Sequence, residues 1–150
     1  MYRLVVFSHV LGAILAVGPA MTYGVWLGLA RRLGEREEAF AFRGVMWLDA
    51  RIVTPAFVWQ LISGLLLVFV FHAAEPSDLW LALSLGLYGA ILLLALVVVR
   101  PRARRAVAAL SEGGPGAAAY GSYRRLMRKL SPAIAVGTLA IVFLMVVKPR

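Results

Sequence analysis

Residues 4–30, LVVFSHVLGAILAVGPAMTYGVWLGLA, contain no lysine, arginine, aspartate or glutamate. A helix rising ~1.5 Å per residue needs ~20 such positions to cross a ~30 Å hydrocarbon core, so this stretch reads as a membrane-spanning helix. Three more uncharged runs follow, at 52–71, 79–99 and 132–147. The last is short for a span, and Leu126, Met127 and Leu130 are expected to extend it, with Lys148 snorkelling at its far end. The chain therefore reads as all-α, a four-helix transmembrane bundle in a single integral membrane domain over 1–150, with spans at about 4–30, 52–72, 79–99 and 130–147. An apolar content of 62%, against ~45–50% in soluble domains, agrees with that class.

A net charge of +9 would suggest nucleic acid in a soluble protein. Here the cations stand between the spans. Arg31, Arg32, Arg36, Arg43, Arg51, Arg100, Arg102, Arg104, Arg105, Arg124, Arg125, Arg128 and Lys129 fall on one side, and Arg3, Lys148 and Arg150 on the other. The positive-inside rule then predicts both termini outside, two basic cytoplasmic loops, residence in the cytoplasmic membrane and no nucleic-acid partner. The first helix is too long for a cleaved leader, and Pro19 follows its small-residue site Ala16-Val17-Gly18, so it reads as retained. The absence of cysteine rules out disulfides, thiolate metal sites and cysteine-ligated clusters.

In the second loop, Glu112 to Gly116 reads as a helix breaker. Tyr120 to Leu130 then reads as an amphipathic helix lying along the cytoplasmic leaflet, with Arg124, Arg125, Arg128 and Lys129 toward anionic lipid. The alternative is that these charges only fix topology.

Along the first span, Ser8, Gly12, Ala16, Ala20, Gly24 and Gly28 recur at every fourth position. Such a stripe lets helix backbones approach closely in lipid. His9 lies beside it and is expected to face protein, while Pro19 is expected to kink the helix near its middle. On the second span Gln60, Ser63 and Gly64 share a face next to Trp59, and Tyr88 of the third span is the expected partner of Gln60. Asp49 and Arg51, too close in sequence to pair with each other, read as members of an interfacial ion-pair set. His9, ~9 Å inward from Arg3, and His72, ~4.5 Å inward from Glu75, fall in one leaflet half. They are candidate ligands for haem b or copper, weighed against a plain interhelical hydrogen bond at His9 and a hydrated His72. No catalytic set stands out, and uncharged spans disfavour a transporter.

The second span, LDARIVTPAFVWQLISGLLLV, with Asp49, Thr54, Pro55, Gln60 and Gly64, resembles the pattern of the domain-of-unknown-function 2269 family of four-span membrane proteins. SHVLGAILAVG and FLMVVKP resemble its first and last helices, so the likeness covers nearly the whole chain. It implies the fold and a membrane location without an activity. A fainter similarity runs to copper-resistance D proteins and membrane protoporphyrinogen oxidases, whose motifs after the first helix are replaced here by Arg31-Arg32-Leu33-Gly34. Two readings result. One is a non-enzymatic membrane or accessory protein with a membrane-protein partner or a second copy of itself. The other is a haem- or copper-binding redox protein with His9 as ligand.

Overall fold

The computed structural model describes residues 1–75, 78–113 and 118–148. Among them are four long helices, each long and apolar enough to cross a membrane: α1 (Tyr2–Leu33), α2 (Glu35–Phe69), α3 (Leu79–Leu110) and α4 (Ala118–Val147). At 30 to 35 residues each they exceed the ~20 residues that a bilayer core requires. The surplus lies at the basic end. What reads as a long first loop is instead helix: α1 reaches Leu33, Gly34 alone turns the chain, and α2 starts at Glu35. Gly34 has φ 148°, and a Cβ there would stand 2.7 Å from Glu37 Oε2, so glycine is required at the turn. Glu35, Glu37 and Glu38 in the next turn suit the positive end of the helix dipole.

Helical turns likewise continue from the third span to Gly113, and 114–117 lie outside the described residues, as do the Pro76-Ser77 part of the other turn and Arg150. Within α2 and α3, residues Asp49–Val53 and Leu94–Val99 form π-helical turns. Each stands just before a proline, Pro55 or Pro101. A proline lacks the N–H that the carbonyl four residues earlier expects, and its ring crowds that carbonyl, so a locally widened helix relieves both problems.

The helices pack as two pairs, α1 on α2 and α3 on α4. At the end carrying the termini, the Tyr2 ring lies tilted against Phe71 with centroids 5.6 Å apart in one pair, and the Lys148 ammonium lies 5.4 Å from the Trp80 ring centroid in the other. The pairs join at the basic end, beyond the uncharged runs. There Phe42, Ala103, Ala106, Leu110, Tyr120 and Tyr123 form a buried core, with Phe42 edge-on to Tyr120 at 5.0 Å and to Tyr123 at 5.3 Å. The segment from Tyr120 therefore does not form a separate helix lying along a leaflet. It is the start of α4, and its tyrosines are buried against α2 and α3 because that apolar face finds protein first.

Glu38 sits in this core at 5% exposure. Its Oε1 accepts from Arg31 Nε at 3.0 Å and Tyr120 Oη at 2.7 Å, with Arg124 at 3.7 Å, so one carboxylate ties α1, α2 and α4 together. Burial alone would raise its pKa, but the Tyr120 and Arg31 hydrogen bonds and the Arg31 and Arg124 charges outweigh this and hold it below the ordinary carboxylate range. A depressed pKa adds stability above the unfolded-state value, and that stability is lost as pH falls through the folded-state value. Thermal unfolding in detergent is expected to show wild type keeping this contribution at neutral pH and losing it as pH falls below ~4.3, the ordinary glutamate value, while Glu38→Gln starts lower and varies less over that range. Parallel pH profiles for the two proteins would contradict the assignment.

Candidate functional site

His9 meets α2 through two reciprocal notches. A Cβ on Gly64 would lie 3.2 Å from His9 Cε1, and one on Gly12 would lie 3.0 Å from Gln60 Oε1 and 3.2 Å from Trp59 Cδ1. The missing side chains let α1 and α2 come close enough for polar groups to touch. Gln60 Nε2 donates to His9 Nε2 at 2.9 Å, because an amide nitrogen has no lone pair to accept with. His9 is then neutral, with its proton on Nδ1, and donates to Ser63 Oγ at 2.9 Å. Ser63 Oγ in turn donates to the Trp59 carbonyl at 2.7 Å. The chain of donors is complete.

The expected small-residue stripe is thus used in its first half. Gly12 and Ala16 are buried, Ala20 is half-buried, and Gly24 and Gly28 have nothing within 4 Å of a built Cβ. Gln60 finds His9 rather than Tyr88. The Tyr88 hydroxyl donates at 2.5 Å to the Phe57 carbonyl, a hydrogen bond that crosses from α2 to α3 within the uncharged runs. His72 stands apart: it lies exposed in the turn beyond the end of α2 at Phe69, with φ 50°. Asp49 accepts from Thr54 Oγ1 at 3.1 Å, and among the described residues the ion pairs gather on Glu38 instead of on Asp49 or Arg51. Glu38 escapes a reading of 31–51 as loop. Its signal is the spacing Glu38, Phe42, Val45, an acid on the buried stripe of an amphipathic helix.

Between the two pairs lies a cavity of about 890 Å³. Its walls are mostly apolar, from Val6, Leu61, Leu85, Leu92, Ala95 and Ile141 among others. Gln60, Tyr88 and Thr138 mark a polar layer partway along, and Asp49, Arg100 and Arg104 line its basic end. The buried oxygens of Ser84, Tyr23 and Gln60 Oε1 have no hydrogen-bond partner, and all three residues line this cavity. Among the described residues no group of three or more His, Asp or Glu side chains could hold a metal ion.

A family model described as a predicted integral membrane protein, DUF2269, matches residues 3–149. The chain belongs to that family. Neither a curated protein nor a solved structure matches it. Membership agrees with the four spanning helices and with the multi-pass, lipid-embedded character they imply, and attaches no chemistry to the cavity.

The His9–Gln60 contact is open to a double-mutant cycle. His9→Ala and Gln60→Ala are each expected to destabilise the protein, with a coupling energy of ~0.6–2 kcal/mol, the range of interhelical hydrogen bonds in membranes. Reversible unfolding in mixed micelles gives the four values, and additive effects would mean that the pair contributes nothing jointly.

Proposed function

We propose that this protein is a non-enzymatic, multi-pass protein of the cytoplasmic membrane, with both termini outside, that holds a membrane-soluble apolar molecule between its helix pairs. The cavity carries this reading. Its volume of about 890 Å³ is within the ~300–1,000 Å³ of ligand pockets, and its wall chemistry, apolar with a few polar groups, is theirs as well. A membrane partner presenting such a molecule, or receiving it, fits an accessory role. The exposed Arg125 and the neighbouring Arg128 and Lys129 are suited to anionic headgroups at the cytoplasmic face.

Filling the cavity tests the reading. Ala95→Trp and Leu85→Trp are each expected to reduce the apolar material that organic extraction recovers from purified protein, by several-fold at matched detergent. Equal recovery from wild type and both variants would remove the proposal.

The redox alternative places haem b or copper on His9. Its ring offers no free lone pair in this geometry, since Nε2 accepts from Gln60 and Nδ1 carries the proton. A metal would have to displace the Gln60 amide. The expected absorption spectrum of protein purified from haem- and copper-supplemented cells has no His9-dependent band, and a Soret or copper band lost in His9→Ala would establish the alternative instead.

A further inference from the structure

Two cations face the basic end of the cavity. Arg100 and Arg104 stand one helical turn apart on α3 and both line it, and among the described residues neither takes part in an ion pair with an acid. Asp49 is the acid in the same lining, and its carboxylate already accepts from Thr54. Two positive charges against one negative leave this mouth suited to an anion. Both π-helical turns contribute to the lining at this level, through Asp49 and Ala50 on α2 and through Ala95, Leu96 and Val99 on α3.

The apolar length above the cations is also defined. From Arg100 back to Tyr88 is twelve residues of α3, or ~18 Å at helical rise. One leaflet of a ~30 Å hydrocarbon core is ~15 Å deep. A chain anchored by its headgroup at Arg100 and Arg104 would therefore reach the Tyr88 and Gln60 layer, past which the apolar lining continues through Val6, Val142 and Met145.

We infer that the cavity takes a bilayer lipid with an anionic phosphate headgroup, its phosphate between Arg100 and Arg104 and its acyl chain between the helix pairs. This rests on the proposed apolar-ligand function and names the ligand class. Guanidinium–phosphate hydrogen bonds are charge-assisted, so headgroup charge, beyond chain length, sets the affinity.

Native mass spectrometry of the purified full chain, titrated with phosphatidylglycerol or with phosphatidylcholine of identical acyl chains, tests it. Wild type is expected to bind one phosphatidylglycerol about tenfold more tightly than phosphatidylcholine, a factor typical of a charge-assisted contact. Arg100→Gln with Arg104→Gln is expected to abolish that preference while binding of phosphatidylcholine persists. Arg100→Lys with Arg104→Lys should keep much of it, which separates loss of charge from loss of fold. Arg102→Gln with Arg105→Gln, on the same helix but outside the cavity lining, should leave it unchanged. Equal affinities in wild type, or equal losses in the two glutamine pairs, would overturn the inference and leave the apolar-ligand function standing. If Ala95→Trp binds both lipids as wild type does, the underlying function fails as well.

Discussion

Inside a bilayer an apolar side chain gains little by leaving lipid for protein, so helices there associate only where backbones fit closely or polar groups need partners. That constraint decides where this bundle is closed and where it is open. Gly12 and Gly64 remove the side chains that would hold α1 and α2 apart, and His9, Gln60 and Ser63 fill the space with hydrogen bonds. Gly137 does the same for the other pair, where a Cβ would lie 3.0 Å from Ile91. Past the uncharged runs, where water again makes apolar burial favourable, Phe42 and its tyrosine neighbours lock the pairs together. Between these closures the pairs are held apart, and the cavity is the result.

The prolines extend the same logic. Pro55 and Pro101 each follow a π-helical turn at the basic end of an uncharged run, one on each helix pair. A widened turn displaces side chains from the regular helical positions, and both turns contribute residues to the cavity wall. Two backbone irregularities with one sequence cause thus meet across the same opening. In a fold otherwise made of regular helix, they shape the basic end differently from the end with the termini.

Much of the architecture is legible in the residues because lipid imposes a length and excludes charge. The four uncharged runs are such a signal, and so is His9 beside a stripe of small residues. The partner of Gln60 is not legible in the same way. Counting residues from a helix end gives depth, and at equal depth Tyr88 looks as near as His9. Only the Gly12 and Gly64 notches decide which helix comes closer, and they act on distance across the bundle, which no count along the chain measures. Glu38 is obscured for another reason. Charges gathered between spans carry a strong topological signal, and that signal hides an acid placed on the buried face of a helix that runs beyond the membrane.

The closed donor chain from Gln60 through His9 and Ser63 to the Trp59 carbonyl also limits what the centre of the bundle can do. The Nδ1 proton of His9 and the Ser63 hydroxyl proton are both committed and the chain ends on a backbone carbonyl, so protonating His9 at Nε2, or binding a metal there, would first break its bond to Gln60. Breaking it would strand a buried amide, which costs more than an exposed group would. The layer is therefore better suited to holding α1 against α2 than to exchanging protons or ligands. Arg100 and Arg104 present the opposite case: two cations at an opening, neither in an ion pair with an acid among the described residues, with an apolar wall leading away from them. The part of this molecule that is chemically unfinished lies at its basic end, and the histidine that draws the eye in the sequence lines the same cavity farther along, where it fastens α1 to α2.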